Sequence, residues 1–301
     1  MSGVTPRLRR PGTGHRPATV LLLHGLGGRP TVWDPFAARV DARFALWDAE
    51  LPWRAMADSE GWGSLADPAR FLVDLVDERY DAVVAHSYAA NLLIEAAADG
   101  RIAPRPTVLI SPFHRSSPRD FDWSVISYYL NEFHRVFEEA LEVGETGRFP
   151  RAHRDWMALR LRDQIGPYGW MRFFETYLRS PFLDLDAVRA PLLVLSGEKD
   201  RAARPSDGRA LAAGVPGARF ELLAGCRHFP MVEDPGLVTR LVCDFLGRAG
   251  PAARTAAPPA RTAAPAARTA APPARTAAVV PRAPRAAGPP RVPPTSRLEM
   301  S

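Results

Sequence analysis

Residues 81–94 read Asp-Ala-Val-Val-Ala-His-Ser-Tyr-Ala-Ala-Asn-Leu-Leu-Ile, and this stretch constrains the fold more than any other. The small and β-branched apolar residues from Ala82 to Ala85 predict a buried strand, and the Ala/Leu-rich run from Ala89 onward predicts a helix. Only His86-Ser87-Tyr88 is left to make the turn between them. A strand that turns this sharply into a helix lifts one side chain clear of the sheet. It also points the first free helix N–H groups at whatever that side chain attacks. Here that side chain is Ser87, with small residues, Ala85 and Ala89, where strand and helix must pack closely.

The rest of the chain repeats the alternation. Short apolar runs predict strands at Thr19–Leu23, Phe44–Trp47, Thr107–Ile110, Pro191–Ser196 and Arg219–Leu223. Helices are expected over Trp33–Val40, over Pro68–Asp77 and, as a closing amphipathic segment, over 237–247. Strands alternating with helices predict an α/β fold with a mainly parallel sheet covered on both faces. The first strand runs into His24-Gly25-Leu26-Gly27-Gly28, where glycines let backbone N–H groups face a cavity without a Cβ in the way. The segment 112–182 is different. It holds 15 of the chain's 27 aromatic residues, has helical spacing and contains no convincing strand.

Charge is unevenly placed along the 301 residues. The formal net charge is +6, yet residues 251–301 carry eight Arg against one Glu, and residues 1–17 carry four Arg and no acid. The body between them is net −5. A basic folded face is therefore not expected, which argues against nucleic acid as a partner. Cys226 and Cys243 are too few for a disulfide framework and form no metal-type cluster with histidine. The apolar run Val20–Leu23 is shorter than the ~7–15 residues of a signal core, and nothing approaches the ~20 residues of a membrane span. A cytoplasmic protein with no membrane span is the expectation. From 251 onward, Arg254, Arg261, Arg268 and Arg275 recur every seven residues, but proline in every unit forbids a coiled coil. A disordered Pro/Ala/Arg-rich tail is expected there.

Ser87, Asp200 and His228 each follow directly on a predicted strand. The contexts are Ala85-His-Ser87-Tyr-Ala89, Gly197-x-x-Asp200 and Gly225-x-x-His228-Phe-Pro, with Glu233-Asp-Pro235 after the last. In that order and those contexts the chain resembles the serine-nucleophile members of the α/β-hydrolase superfamily, whose elbow is usually Gly-x-Ser-x-Gly. Alanine replaces both elbow glycines here. The resemblance spans 18–247 and implies an α/β-hydrolase core over 18–111 and 183–250, with 112–182 as a helical cap. A disordered arm (1–17) and the tail (251–301) flank it. It also implies a Ser87–His228–Asp200 triad, with an oxyanion hole from the backbone N–H groups of Leu26 and Tyr88. Glu198 is a rival to Asp200, and Asp120 or Asp122 offers an acid from after the preceding strand. His24 and His86 match structural positions of the family, and Cys226 reads as packing. His114, His134 and His153 lack metal-ligand spacing.

The activity implied is hydrolysis of a fairly apolar or aromatic acyl compound, an ester or thioester, through an acyl-enzyme, with no cofactor and no metal. Serine at 87 argues against the dehalogenase and epoxide-hydrolase chemistry that uses a carboxylate nucleophile. C–C bond hydrolysis of a diketone stays open. So do non-hydrolytic lyase, cyclase or cofactor-free dioxygenase chemistry and a small-molecule binding role on a hydrolase scaffold. An aromatic cap would suit secondary metabolism.

Overall fold

The structure is a computed structural model that describes residues 4–53, 67–143 and 148–256, the last seven by backbone alone. The chain divides into two units, Met1–Ala257 and Pro258–Ser301, and the second lies wholly outside the described residues. The strands are β1 (Arg7–Arg10), β2 (Ala18–Leu23), β3 (Phe44–Asp48), β4 (Ala82–His86), β5 (Thr107–Ile110), β6 (Leu192–Gly197) and β7 (Arg219–Leu223). They form one sheet in the order β1-β3-β2-β4-β5-β6-β7, parallel throughout except for β1. This is the mainly parallel α/β sheet that the alternation predicts, in the α/β-hydrolase arrangement that the resemblance implies.

Alternation along the central strands divides the core in two. Leu21, Leu23, Val83, Ala85, Leu109, Leu192 and Val194 pack on one face, together with helices α2 (Pro68–Leu75) and α3 (Tyr88–Ala98). Val20, Leu22, Val84, Val108, Ile110, Leu193 and Leu195 pack on the other, against α1 (Asp34–Ala37) and the C-terminal α8 (Pro230–Glu233) and α9 (Pro235–Ala256). A sheet buried on both faces explains why these strands read as continuous apolar runs. Between β5 and β6 the described residues hold three α-helices: α4 (Trp123–Asn131), α5 (Arg135–Val143) and α6 (Arg151–Arg179). Helix α7 (Pro205–Gly214) joins β6 to β7.

Three stretches depart from expectation. The arm expected to be disordered over 1–17 contains β1, which pairs antiparallel with β3. It is fixed by charge, not by apolar alternation, so its hydrophobic pattern is silent. Arg7 and Arg9 both reach the buried carboxylate of Asp48, and Arg10 donates to the carbonyls of Ala37 and Val40 beyond α1. At the other end, α9 runs to Ala256, inside the stretch expected to lack structure from 251. Alanine, the strongest helix former, extends the helix there; residues 257–301 of the expected tail lie outside the described residues. The helix expected over Trp33–Val40 is reduced to a 3₁₀ turn at Pro30–Trp33 and the four-residue α1.

Asp48→Ala is expected to lower unfolding stability in urea by roughly 2 kcal/mol, because it removes the buried carboxylate that Arg7 and Arg9 share and leaves mostly buried Arg9 with exposed Asp34 as its remaining acid. A loss below about 0.5 kcal/mol would mean the pair acts like an exposed one and that the strand ladder alone holds β1.

Candidate active site

The sheet brings its carboxyl-terminal loops together, and the expected residues meet there. Ser87 sits between β4 and α3 at φ 56°, ψ −124°, a left-handed conformation rare for a residue with a Cβ. The turn is pinned from both sides. Ser87 N–H donates to the Ile110 carbonyl at 2.8 Å, and Asn91 N–H donates to the Ser87 carbonyl at 3.2 Å. Ala85 and Ala89 are fully buried beside it, so a methyl group is accommodated where the family pattern carries glycine. Gly25 is different, since a Cβ there would come within 2.8 Å of Ser87 Cβ.

Ser87 Oγ lies 3.1 Å from His228 Nε2, and His228 Nδ1 lies 2.8 Å from Asp200 Oδ2. The other oxygen of Asp200 accepts the backbone N–H groups of Ala202 and Ala203, both at 2.9 Å. Asp200 is therefore the carboxylate that meets His228, and the other candidates are engaged elsewhere. Exposed Glu198 accepts Gly225 N–H at 2.9 Å, while Asp120 and Asp122 cap local turns around the start of α4. His228 is fully buried, which by itself lowers an imidazole pKa. The adjoining Asp200 carboxylate outweighs that burial and holds His228 above its ordinary value.

The His228 loop is held through its backbone. Glu233 accepts the N–H groups of Arg227 (2.9 Å) and Phe229 (3.0 Å). His86 Nε2 lies 2.9 Å from the His228 carbonyl, to which it donates. Gly197 lets the loop pass, because a Cβ there would stand 2.1 Å from the Arg227 carbonyl. His24 is likewise structural. Its Nε2 accepts Leu51 N–H at 3.0 Å, and burial depresses its pKa to about 4. The thiol of Cys226 is buried and pushed up to about 11, in keeping with packing.

Gly25 through Gly28 form a turn closed by Gly28 N–H on the Gly25 carbonyl at 3.1 Å, with Gly27 at φ 67°. Leu26 lies inside this turn and lines the cavity at Ser87, while Tyr88 is the first residue of α3. That cavity, about 410 Å³ when counted out to its open mouth, is walled by Val32, Phe113, Phe133, Val136, Phe137, Phe173 and Phe229 around Ser87 and His228. Phe133 precedes α5, Val136 and Phe137 lie on it, and Phe173 lies on α6, so the inserted helices supply one wall. Among the described residues no arginine or lysine lines this cavity.

Which aromatics face Ser87 is not legible in the sequence, where Tyr129 and Tyr177 look no different. Both are spent tying the insertion to the core: Tyr129 OH donates to the Ala202 carbonyl, and Tyr177 OH donates to buried Asp207. Glu139 on α5 also goes unmarked in the sequence. Burial pushes its carboxyl up to about 7, in a setting shared with His228 and Asp200.

The model of the alpha/beta hydrolase family matches residues 20–241. The chain belongs to that family. A 2-hydroxy-6-oxononadienedioate/2-hydroxy-6-oxononatrienedioate hydrolase of Cupriavidus pinatubonensis (strain JMP 134 / LMG 1197) is 25% identical over 276 residues, covering 78% of this chain and 89% of that protein. Among solved structures, the enol-lactonase from Burkholderia xenovorans LB400 superposes with a TM-score of 0.55 at 20% identity, over 82% of this chain and 98% of the other. MenH from S. aureus gives 0.58 at 15% identity, over 82% and 99%. The family match makes the chain an α/β-hydrolase-family enzyme, and the solved structures show its fold. Among the described residues no helix is long and apolar enough to cross a membrane.

The His228–Asp200 pairing makes a direct prediction. By NMR, the His228 imidazole should titrate above the ordinary histidine value of about 6.5, and Asp200→Asn should shift its titration downward. An unchanged titration in that variant would remove Asp200 as the cause.

Proposed function

We propose that the protein is a serine hydrolase that cleaves a fairly apolar ester or thioester through an acyl-enzyme on Ser87. The observation that carries this reading is the hydrogen-bonded line from Ser87 through His228 to Asp200. A serine hydroxyl is a weak nucleophile until an adjacent base takes its proton. His228 Nε2 is at 3.1 Å, within reach of that proton. Asp200, on the opposite ring nitrogen, fixes the tautomer that leaves Nε2 free to accept and stabilises the imidazolium that forms.

In this reading Ser87 Oγ bonds to the substrate carbonyl carbon as its proton passes to His228. The carbonyl oxygen becomes an oxyanion held by the N–H groups of Leu26 and Tyr88, each worth roughly 3–4 kcal/mol in the transition state. The tetrahedral adduct collapses, and the leaving alcohol or thiol takes the proton from His228. Water, deprotonated by the same imidazole, then attacks the acyl-enzyme and frees the acid and Ser87. The aromatic insertion serves as the cap that keeps bulk water from this sequence and binds the acyl group by apolar contact.

A second reading, C–C bond hydrolysis, is favoured by the relative from Cupriavidus, whose name denotes a dicarboxylate substrate. A dianion would need cationic partners once desolvated, and the cavity at Ser87 is lined by none among the described residues. That contrast favours the neutral acyl substrate.

Assayed with p-nitrophenyl acetate, Ser87→Ala and His228→Ala should each lower kcat by about 10⁴-fold or more, and the double variant should be scarcely worse. Activity should rise as pH climbs through the elevated His228 pKa, because only the neutral ring accepts the proton. Retention of ester turnover by Ser87→Ala would refute the assignment.

A further inference from the structure

A second and larger cavity lies next to the one at Ser87. It is a cleft open to solvent, about 820 Å³ when counted out to its mouth, between the end of α4, the start of α5 and the middle of α6. Its existence follows from a break in α6. Gly166 leaves the helix at φ 69°, ψ 170°, and Pro167 follows. Glycine takes that backbone conformation without a Cβ clash, and proline removes an N–H and crowds the carbonyl four residues back. The opened helix leaves Trp170 on the wall, its ring stacked on Phe174 at 5.0 Å, opposite the half-exposed Leu130.

One side chain belongs to both cavities. Phe133 is buried, and its ring lies 5.4 Å from Phe137 and 5.1 Å from Phe173, which wall the inner cavity. On its other side it lies 6.5 Å from Trp170, which walls the outer one. Phe133 is thus the residue that lines both spaces, with its ring between aromatic neighbours of each. The outer rim carries cationic residues, but each has an acid beside it. Arg162 Nη2 pairs with Asp163 at 2.7 Å, and His134 lies 3.5 Å from Glu138. Such a rim has no uncompensated positive charge to select an anionic terminus, while its wall offers apolar and aromatic surface.

We propose that the outer cavity is a distal subsite for the uncharged end of a long acyl chain attached at Ser87, and that Phe133 sets how far such a chain reaches. This rests on the acyl-transfer reading of Ser87 and adds the class of acyl group to it. A chain that passes Phe133 exchanges water for the surfaces of Trp170 and Leu130, and a chain stopped by the ring gains nothing from them.

The test compares kcat/KM for p-nitrophenyl acetate and p-nitrophenyl octanoate in the full-length protein. Phe133→Ala should raise the octanoate-to-acetate ratio about tenfold, within the range that pocket shape commonly commands. Phe133→Leu should move it in the same direction, and carries the comparison alone should the alanine variant not fold. Adding Leu130→Trp to either should fill the outer space and return the ratio toward wild type. An unchanged or lower ratio in a variant that still hydrolyses the acetate overturns the subsite and leaves the hydrolase assignment standing. No turnover of either ester by wild type overturns both. A larger gain for the p-nitrophenyl monoester of octanedioic acid than for the octanoate overturns the uncharged-end specificity.

Discussion

The structure depends on one strained turn. Holding Ser87 at φ 56° costs on the order of 1–3 kcal/mol, and nothing local repays a serine for it. The restraint comes from the sheet. β4 lies between β2 and β5, and the Ser87 N–H is taken by the last residue of β5, so the turn cannot relax without breaking the central ladder. The same restraint stacks the β2 loop directly on Ser87 at Gly25. Sheet order thereby becomes chemistry: the loops after β2, β4, β6 and β7 converge because their strands are neighbours or near neighbours in a parallel array, as expected for an open α/β sheet.

Burial then decides what the converged groups can do. Asp200 and His228 are both buried, and the polar atoms of both side chains are hydrogen-bonded within the protein, so little is left to water. Asp200 receives two N–H groups besides the imidazole. The His228 loop is gripped by Glu233 from one side and by His86 from the other. An imidazole fixed in this way is poised to accept a proton at one nitrogen only. The aromatic wall from the inserted helices completes a site with a few polar groups in an apolar space, the usual character of a small-molecule pocket.

Much of this was legible in the sequence, for reasons that differ by residue. Ser87 stood out because a buried strand and a helix left three residues for the turn, and Asp200 and His228 because each followed an apolar run at its end. The strands of the doubly buried sheet were readable as uninterrupted apolar runs. β1 was not, since its anchors are arginines reaching Asp48 from a distant strand, and charge carries no strand period. The extent of α1 was lost to Pro30 and Pro35, which cut a helical pattern into short pieces. The spacing Gly197-x-x-Asp200 already favoured Asp200 over Glu198, and the path of the loop after β6 puts Asp200 against His228. The pocket-facing aromatics were unreadable, because 15 rings in one segment share a composition, and their roles differ only by orientation. Gly166-Pro167 was visible as letters, yet the cavity it opens depends on which helices lie across it.

The most direct measurement of the central claim, an activated nucleophile at a strained turn, is intact-mass analysis after treatment with a fluorophosphonate probe. The account predicts a single adduct on the wild-type protein, located at Ser87 by peptide mapping and absent from a folded Ser87→Ala variant. A folded wild-type protein that takes up no adduct, or takes it up equally in the variant, would contradict it.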